Sequence, residues 1–95
     1  MPRAAMFTVF AYDISDDAKR RRVAAILEER AVRVQNSVFE AWMTEREAKA
    51  LAVKVEAVLV TGDSLRVYAI GQTGLARCRT FGGPAIVDTP SFLIA

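Results

Sequence analysis

The stretch Ala5–Tyr12 constrains the fold of this chain more than any other segment. It is almost continuously apolar, it is rich in aromatic and β-branched residues, and it ends at Asp13, which together predict a strand. Successive side chains of a strand point to opposite faces of its sheet, and both sets are apolar here. Such a strand requires cover on both faces.

The residues that follow predict a helix and a second strand. A Ser-Asp-Asp run at 15–17 supplies an N-cap and first-turn acids, and an apolar stripe at helical spacing continues to about Arg30. Val32–Met43 is predicted as a second strand, although its apolar positions change parity between Val38 and Phe39. A bulge there, or burial of both faces, accounts for the change.

A second helix and a third strand continue the pattern. Thr44 and Glu47 fit a capping box, and the apolar stripe behind them ends at Gly62. The β-branched valines of this stretch lower helix propensity, but the box and the stripe favour a helix over a strand. Leu65–Ile70 is then a strand that is apolar on both faces except at Arg66.

The pattern loosens after Gly71, so residues 1–95 form one domain in which 71–95 are a variable tail with short late strands. The order β-α-β-α-β plus one or two short strands predicts an α+β, ferredoxin-like βαββαβ sandwich, with both helices on one face of an antiparallel sheet. No third layer covers the other face, so we expect a sheet-to-sheet homodimer about a two-fold axis. We expect the apolar tail at 92–94 to add as an edge strand to the partner's sheet.

Composition excludes several kinds of chemistry. The chain has no histidine and a single cysteine, Cys78, which excludes serine-histidine triads, histidine bases, zincin motifs and internal disulfides within one chain. Its apolar runs fall short of the ~20 residues of a membrane span, and its N-terminus lacks the layout of a signal peptide. We therefore expect a cytoplasmic protein without membrane contact. Chemistry must rest on carboxylates, with or without a hard metal ion, or be absent.

Asp13 is the best catalytic candidate by position, because this charged residue directly follows an apolar strand and precedes an arginine-rich helix. The structural alternative is that its carboxylate makes an Asx-turn into the helix. Mg²⁺ is commonly held by one or two carboxylates together with water and substrate phosphate. Two copies of Asp13 brought together by a dimer axis would therefore suffice for one Mg²⁺ site.

Basic residues are concentrated around the first helix. The net charge is only +2, but six of the 13 basic residues lie between positions 19 and 33, and most are arginines, which favours phosphate recognition. A charge run is usually a solvated face, but four cations near a helix N-terminus gain nothing from the helix dipole. By helical spacing, Lys19 and Arg20 continue the apolar stripe while Arg21 points away from it. The candidate phosphate-binding cations are Lys19, Arg20, Arg21, Arg22 and Arg33.

Four motifs occur in the order and spacing of a known family. They are Tyr-Asp-Ile-Ser-Asp-Asp at 12–17, the basic run at 19–22, Arg-Val-Gln-Asn-Ser-Val-Phe-Glu at 33–40 and Asp-Ser-Leu-Arg-Val-Tyr at 63–68. Over roughly positions 6–70 the chain resembles the CRISPR-associated protein 2 family. It departs from the family pattern at Ala31, where a glycine is usual, and at Asn36, where a tyrosine is common. Neither departure removes the aspartate.

The resemblance implies a ferredoxin-like homodimer that acts in CRISPR spacer acquisition with the integrase, CRISPR-associated protein 1. It implies an Mg²⁺-dependent endonuclease that cuts single-stranded RNA or double-stranded DNA, with Asp13 as the metal-binding, catalytic residue. One alternative is a non-catalytic dimeric adaptor that holds DNA for the integrase. A toxin-like ribonuclease of the same fold is a third, less favoured hypothesis. The positions that match residues supporting substrate binding or cleavage are Tyr12, Arg20, Arg22, Arg33 and Phe39.

Overall fold

The computed structural model describes residues 5–83 and 85–86. The elements follow one another as β1 (Met6–Asp13), α1 (Asp17–Glu28), β2 (Val32–Gln35), β3 (Val38–Met43), α2 (Glu45–Glu56), β4 (Ser64–Ile70) and α3 (Gln72–Leu75). The predicted edge strand at 92–94 lies outside the described residues. Among those described, no helix has the length and apolar character needed to cross a bilayer.

One antiparallel sheet carries all four strands in the order β2-β3-β1-β4. The central strand is β1, in which Phe10 lies opposite Phe39 of β3 and Val67 of β4. Two long helices between the strands, and this strand order, make the ferredoxin-like βαββαβ arrangement. The predicted fold class is therefore confirmed.

The core lies between the sheet and the two long helices. Phe10 and Phe39 from the sheet are completely buried, as are Val23 and Leu27 of α1 and Val55 of α2. Burial of a side chain of this size contributes roughly 1.5–3 kcal/mol. The helices therefore cover one face of the sheet, and their apolar stripes determine which face that is.

Both long helices begin at the residues that the sequence indicated. Asp16 caps α1 by accepting a hydrogen bond from the Lys19 N–H at 2.9 Å. Thr44 and Glu47 form the reciprocal capping box of α2. The second helix forms despite its valines, but it ends earlier than predicted, and Gly62 instead occupies a turn before β4 with a φ of 95°, a conformation that favours glycine.

The prediction of a single strand over Val32–Met43 is wrong. The chain reverses at Asn36 and Ser37, so the segment forms the hairpin of β2 and β3. The register shift lies between Arg33 and Gln35 and not between Val38 and Phe39. The change of parity in the sequence marks the start of a new strand, because side-chain alternation restarts after a reversal.

The described part of the tail contains a short helix and turns, and residue 84 and residues 87–95 of the segment predicted to carry short late strands lie outside the described residues. After β4 the chain forms the short helix α3 and a series of turns, and no strand occurs between residue 71 and residue 83. Residues 79–83 and Ile86 line a cavity together with Val34, Gln35 and Glu40. This part of the tail therefore lies beside the β2–β3 hairpin.

The sheet face opposite the helices is apolar but incompletely covered within the described residues. Phe7 is buried, and Trp42 packs edge-on against it with ring centroids 5.6 Å apart. On the same face, Val9 is half-buried and Tyr68 is 48% exposed. Partial burial raises the pKa of the Glu40 carboxyl, which lies opposite Val9. Both faces of β1 therefore carry apolar side chains, as its sequence predicted.

Candidate nucleic-acid cleft

A cleft of about 450 Å³ opens at the end of β1, beside the first turns of α1 and the β2–β3 turn. It brings together charged and polar side chains from three separate parts of the chain. Its lining residues are Tyr12, Asp13, Ile14, Asp17, Arg20, Arg21, Ala24, Arg33, Asn36 and Ser37. Three arginines and two aspartates therefore face one small space.

Tyr12 fixes the β2–β3 turn against the end of β1. Its backbone N–H donates to the Ser37 carbonyl and its phenol hydroxyl donates to the Asn36 carbonyl, both at 3.1 Å. The ring is buried and stacks on Phe39, with ring centroids 6.2 Å apart. These contacts hold one wall of the cleft to the core.

Arg33 packs against the same aromatic pair. Its guanidinium carbon lies 5.2 Å from the centroid of the Phe39 ring, which is within the range of a cation–π contact. Burial raises the pKa of the Tyr12 hydroxyl, and the positive charge of Arg33 offsets part of that effect. In the described part of the chain no carboxylate pairs with Arg33, so its charge faces the cleft without a counter-ion.

Arg20 is largely engaged within the chain. Its Nη1 donates to the carbonyls of Ile14 and Ser15 at 3.0 and 3.1 Å, and its Nη2 pairs with Asp17. These bonds close the loop between β1 and α1. By contrast, Arg21 is exposed and makes no hydrogen bond or ion pair with any described residue.

Asp13 ends β1 at the mouth of the cleft. It is exposed, and its carboxylate has no hydrogen-bond or ion-pair partner within residues 5–83 and 85–86. The alternative of an Asx-turn at this position is not observed: Asp16 caps the helix, and Asp63 accepts the nearby backbone bonds from Ser15 and Val60. The Asp13 carboxylate is therefore available to a ligand.

The structure brings most of the sequence-predicted residues together. Those that line the cleft are Asp13, Tyr12, Arg20, Arg21 and Arg33. Those that do not line it are Lys19, Arg22 and Phe39. Phe39 is completely buried, and its ring contacts Tyr12 and Arg33 from the core. Arg22 is exposed away from the cleft.

Sequence reasoning missed Asn36 and Ser37 as cleft residues, because the segment was predicted as a continuous strand. It also treated Asp17 only as a first-turn acid, whereas Asp17 lines the cleft as well. The sequence of α1 does contain a signal that Asp17 belongs with the arginines of the cleft. Asp17, Arg20, Arg21 and Ala24 follow the spacing of one helix face, which meets the core-facing apolar stripe at the buried Ala24.

The model of the family described as CRISPR associated protein Cas2 matches residues 6–78. The chain belongs to the Cas2 family. The match begins at the first residue of β1 and includes every residue that lines the cleft. Fold and cleft thus both lie in the part of the chain that is typical of the family.

Similar proteins carry nuclease names. The CRISPR-associated endoribonuclease Cas2 2 of Synechocystis sp. is 36% identical over 90 residues, with 93% of this chain and 97% of that protein covered. The CRISPR-associated endonuclease Cas2 2 of Thermus thermophilus is 41% identical over 61 residues, covering 63% of this chain and 68% of that protein. The crystal structure of Streptococcus pyogenes Cas2 superposes with a TM-score of 0.68 at 29% identity, covering 81% of this chain and 100% of that one.

The Tyr12 hydroxyl generates a prediction about alkaline stability. We expect Tyr12→Phe to lower the free energy of unfolding by about 1 kcal/mol at neutral pH, the usual contribution of one hydrogen bond. The folded chain holds the Tyr12 pKa above its ordinary value of 10.0, so this tyrosine stabilises the fold below pH 10 and loses that contribution as the pH rises through its folded-state pKa. Urea unfolding between pH 8 and pH 11 measures both effects.

The control is Tyr68→Phe, which removes a hydroxyl on the other face of the sheet whose hydrogen bond, accepted from Arg66, is exposed. We expect the stability difference between Tyr12→Phe and the parent to shrink above pH 10. A difference that stays constant across this range would contradict the assignment.

Proposed function

We propose that this chain is a Cas2 subunit of CRISPR adaptation that cleaves phosphodiester bonds as an Mg²⁺-dependent endonuclease. The observation that carries the proposal is the unpartnered Asp13 carboxylate at the mouth of a cleft lined by arginines. Anionic and cationic groups in one cleft suit a phosphodiester and a divalent cation together. The nuclease names of the similar proteins point to the same chemistry.

The donor set fits Mg²⁺ only when it is completed from outside one chain. Among the described residues, no group of three or more acidic, cysteine or histidine side chains lies close enough to hold a metal ion. Asp17 shares the cleft but is paired with Arg20. Mg²⁺ retains several waters and needs only one or two carboxylates with substrate phosphate, so Asp13 and its copy in a second subunit form a sufficient set.

The residues of the chain have separate roles in this proposal. Asp13 would hold Mg²⁺, and the ion would supply Lewis acidity to the attacking water and to the phosphoryl group. Arg21 and Arg33 contact the phosphate oxygens and stabilise the negative charge that grows there as water attacks phosphorus. Arg20 keeps the loop that follows Asp13 in place through its bonds to Ile14 and Ser15.

The second candidate is a dimeric adaptor that holds duplex DNA for the CRISPR-associated protein 1 integrase and cuts nothing. The observation that favours it is the single free carboxylate of the described cleft, since binding through Arg21 and Arg33 needs no metal. Family membership accommodates both functions. The two functions differ in their requirement for the Asp13 carboxylate, which the nuclease needs and the adaptor does not.

We also propose that the sheet face opposite the helices joins two copies. Its support is the apolar surface that contains Val9, Trp42 and Tyr68. The same arrangement provides a second Asp13.

For assembly, we expect light scattering at micromolar concentration to return twice the chain mass of 10.4 kDa. Tyr68→Glu places a charge in the proposed interface and should shift the mass toward the monomer, because burying an unpaired charge is costly. Val53→Glu adds the same charge on the exposed surface of α2 and should leave the dimer intact. A monomeric parent would overturn the dimer proposal.

For catalysis, we expect Asp13→Asn to lower Mg²⁺-dependent cleavage by at least ~100-fold, because it removes the charge that a hard cation needs. The measurement is single-turnover cleavage of labelled RNA and duplex DNA with Mg²⁺ or EDTA. Asp16→Asn is the matched control, since asparagine caps helices as well as aspartate does and Asp16 lies outside the cleft lining. If Asp13→Asn cleaves like the parent, or the parent cleaves neither substrate, the adaptor function takes the place of the nuclease.

For binding, we expect Arg21→Ala and Arg33→Ala each to reduce the slope of log K against log salt by about one, the effect of one lost phosphate contact. Arg46→Ala is the control, because Arg46 is exposed on α2 and lines a different groove. Fluorescence anisotropy over a salt series measures the slopes. Equal slopes in all three variants would assign Arg21 and Arg33 to the solvated surface.

A further inference from the structure

Two charged side chains lie among the apolar residues of the sheet face opposite the helices. Glu40 of β3 is half-buried and lies opposite Val9 of the central strand. Arg66 of β4 is exposed and lies opposite Ala11 of the same strand. Neither charge forms an ion pair with any residue that the structure describes. The face therefore presents an acid and a base that both lack a counter-ion.

The cation nearest to Glu40 along the tail does not neutralise it. Arg79 lines the same cavity as Glu40, but its Nη1 donates to the carbonyls of Ala76 and Cys78 at 3.0 and 2.9 Å. Burial raises the pKa of the Glu40 carboxyl, and no positive charge of the described residues lowers it. A carboxylate that has lost part of its hydration is stabilised by an opposite charge. The position of Glu40 thus suits a cation supplied by a partner.

The guanidinium of Arg66 is held beside the row of residues to which Glu40 belongs. Its Nη1 donates to the Tyr68 hydroxyl at 3.3 Å. Tyr68 lies opposite Val9, and Val9 lies opposite Glu40, so these three residues form one row across β4, β1 and β3. The acid and the base therefore lie on opposite sides of the central strand, at nearly the same position along it.

Two copies packed face to face have two simple arrangements, which differ in the direction of the two-fold axis. Packed sheets keep their strands nearly aligned, about 10 Å apart. An axis across the strands places β3 over the partner's β3 and β4 over the partner's β4, so like charges share one side of the interface. An axis along β1 places β3 over the partner's β4 and leaves each row at its position along the strands. Glu40 then faces the row that holds the partner's Arg66.

We propose that Glu40 of each copy pairs with the partner's Arg66, and that these two ion pairs determine the orientation in which the sheets pack. A two-fold interface repeats every contact, so both acids and both bases are neutralised at once. Complementary charges at an interface determine register and choice of partner more than raw affinity. The same axis places the end of β1 beside its copy, as a site built from two Asp13 carboxylates requires. This inference rests on the dimer proposed above.

The test reverses each charge and measures the dissociation constant of the dimer by sedimentation equilibrium. We expect Glu40→Arg and Arg66→Glu each to raise that constant at least ~100-fold, because like charges then meet twice in one interface. An equimolar mixture of the two variants should dimerise like the parent, since each variant supplies the charges that the other lacks. The double variant Glu40→Arg/Arg66→Glu should also recover the dimer, because it exchanges the two signs and keeps the pairs.

Glu56→Arg and Arg46→Glu are the matched controls, because both residues are exposed on α2, on the opposite side of the sheet. They should leave the dissociation constant unchanged. Single reversals that dimerise like the parent would overturn the inference. So would single variants that neither the mixture nor the double variant rescues.

The outcomes separate this inference from the proposals on which it builds. A dimeric parent that tolerates both reversals would refute the ion pairs and leave the dimer standing, whereas a monomeric parent would refute both. Cleavage plays no part in the measurement. A parent that cleaves no nucleic acid would therefore contradict the nuclease proposal without affecting this result.

Discussion

The candidate site depends on Tyr12, which connects the central strand to the β2–β3 turn. The ring belongs to the core, where it stacks on Phe39, while the backbone N–H and the hydroxyl bond two successive carbonyls of the turn. Residues before Asp13 are held by both neighbouring strands. The position of Asp13 is thus set by the most constrained part of the sheet, although its own side chain is free.

The arginines of the cleft are not equivalent, and their differences follow from what each one contacts. Arg20 donates hydrogen bonds to the carbonyls of Ile14 and Ser15 and forms an ion pair with Asp17. A guanidinium bonded in this way shapes the loop and has little left for a phosphate. Arg33 lies over an aromatic ring, which leaves its edge donors unused, and Arg21 has no described partner. Phosphate affinity therefore rests mainly on Arg21 and Arg33.

Much of the fold was predictable because its signals are local. The apolar run of β1, the cap in the Ser-Asp-Asp run at 15–17 and the box at Thr44 each depend on a few neighbouring residues, and each formed as predicted. The hairpin was missed because its turn lacks the usual signal. Two-residue hairpin turns normally require positive φ and are marked by Asn-Gly or similar pairs, whereas here only glycines have positive φ among the described residues. The pairing also carries a register shift just before the turn, between Arg33 and Gln35.

The candidate site was predictable in its charges but not in its geometry. Asp13 and the basic run stand out in the sequence, and the family resemblance assigned a role to Asp13. Which arginine of the cleft is engaged within the chain depends on the carbonyls of Ile14 and Ser15 in the loop after β1, and no spacing rule encodes their positions. Asn36 and Ser37 line the cleft because the pairing of β1 with β3 and the two Tyr12 hydrogen bonds hold the hairpin turn against the end of β1. Such contacts join residues 24 positions apart.

The proposed chemistry and the proposed assembly are coupled through a single carboxylate. Asp13 is the carboxylate of the described cleft that has no partner, and it is the last residue of β1. The sheet face opposite the helices, to which β1 contributes, is apolar. If that face joins two copies, the same contact that buries Val9 and Tyr68 also completes the set of metal ligands. Nucleic-acid binding through Arg21 and Arg33 has no such requirement, because both cations belong to one chain. Binding would then persist in a monomer, whereas cleavage would follow the concentration of dimer.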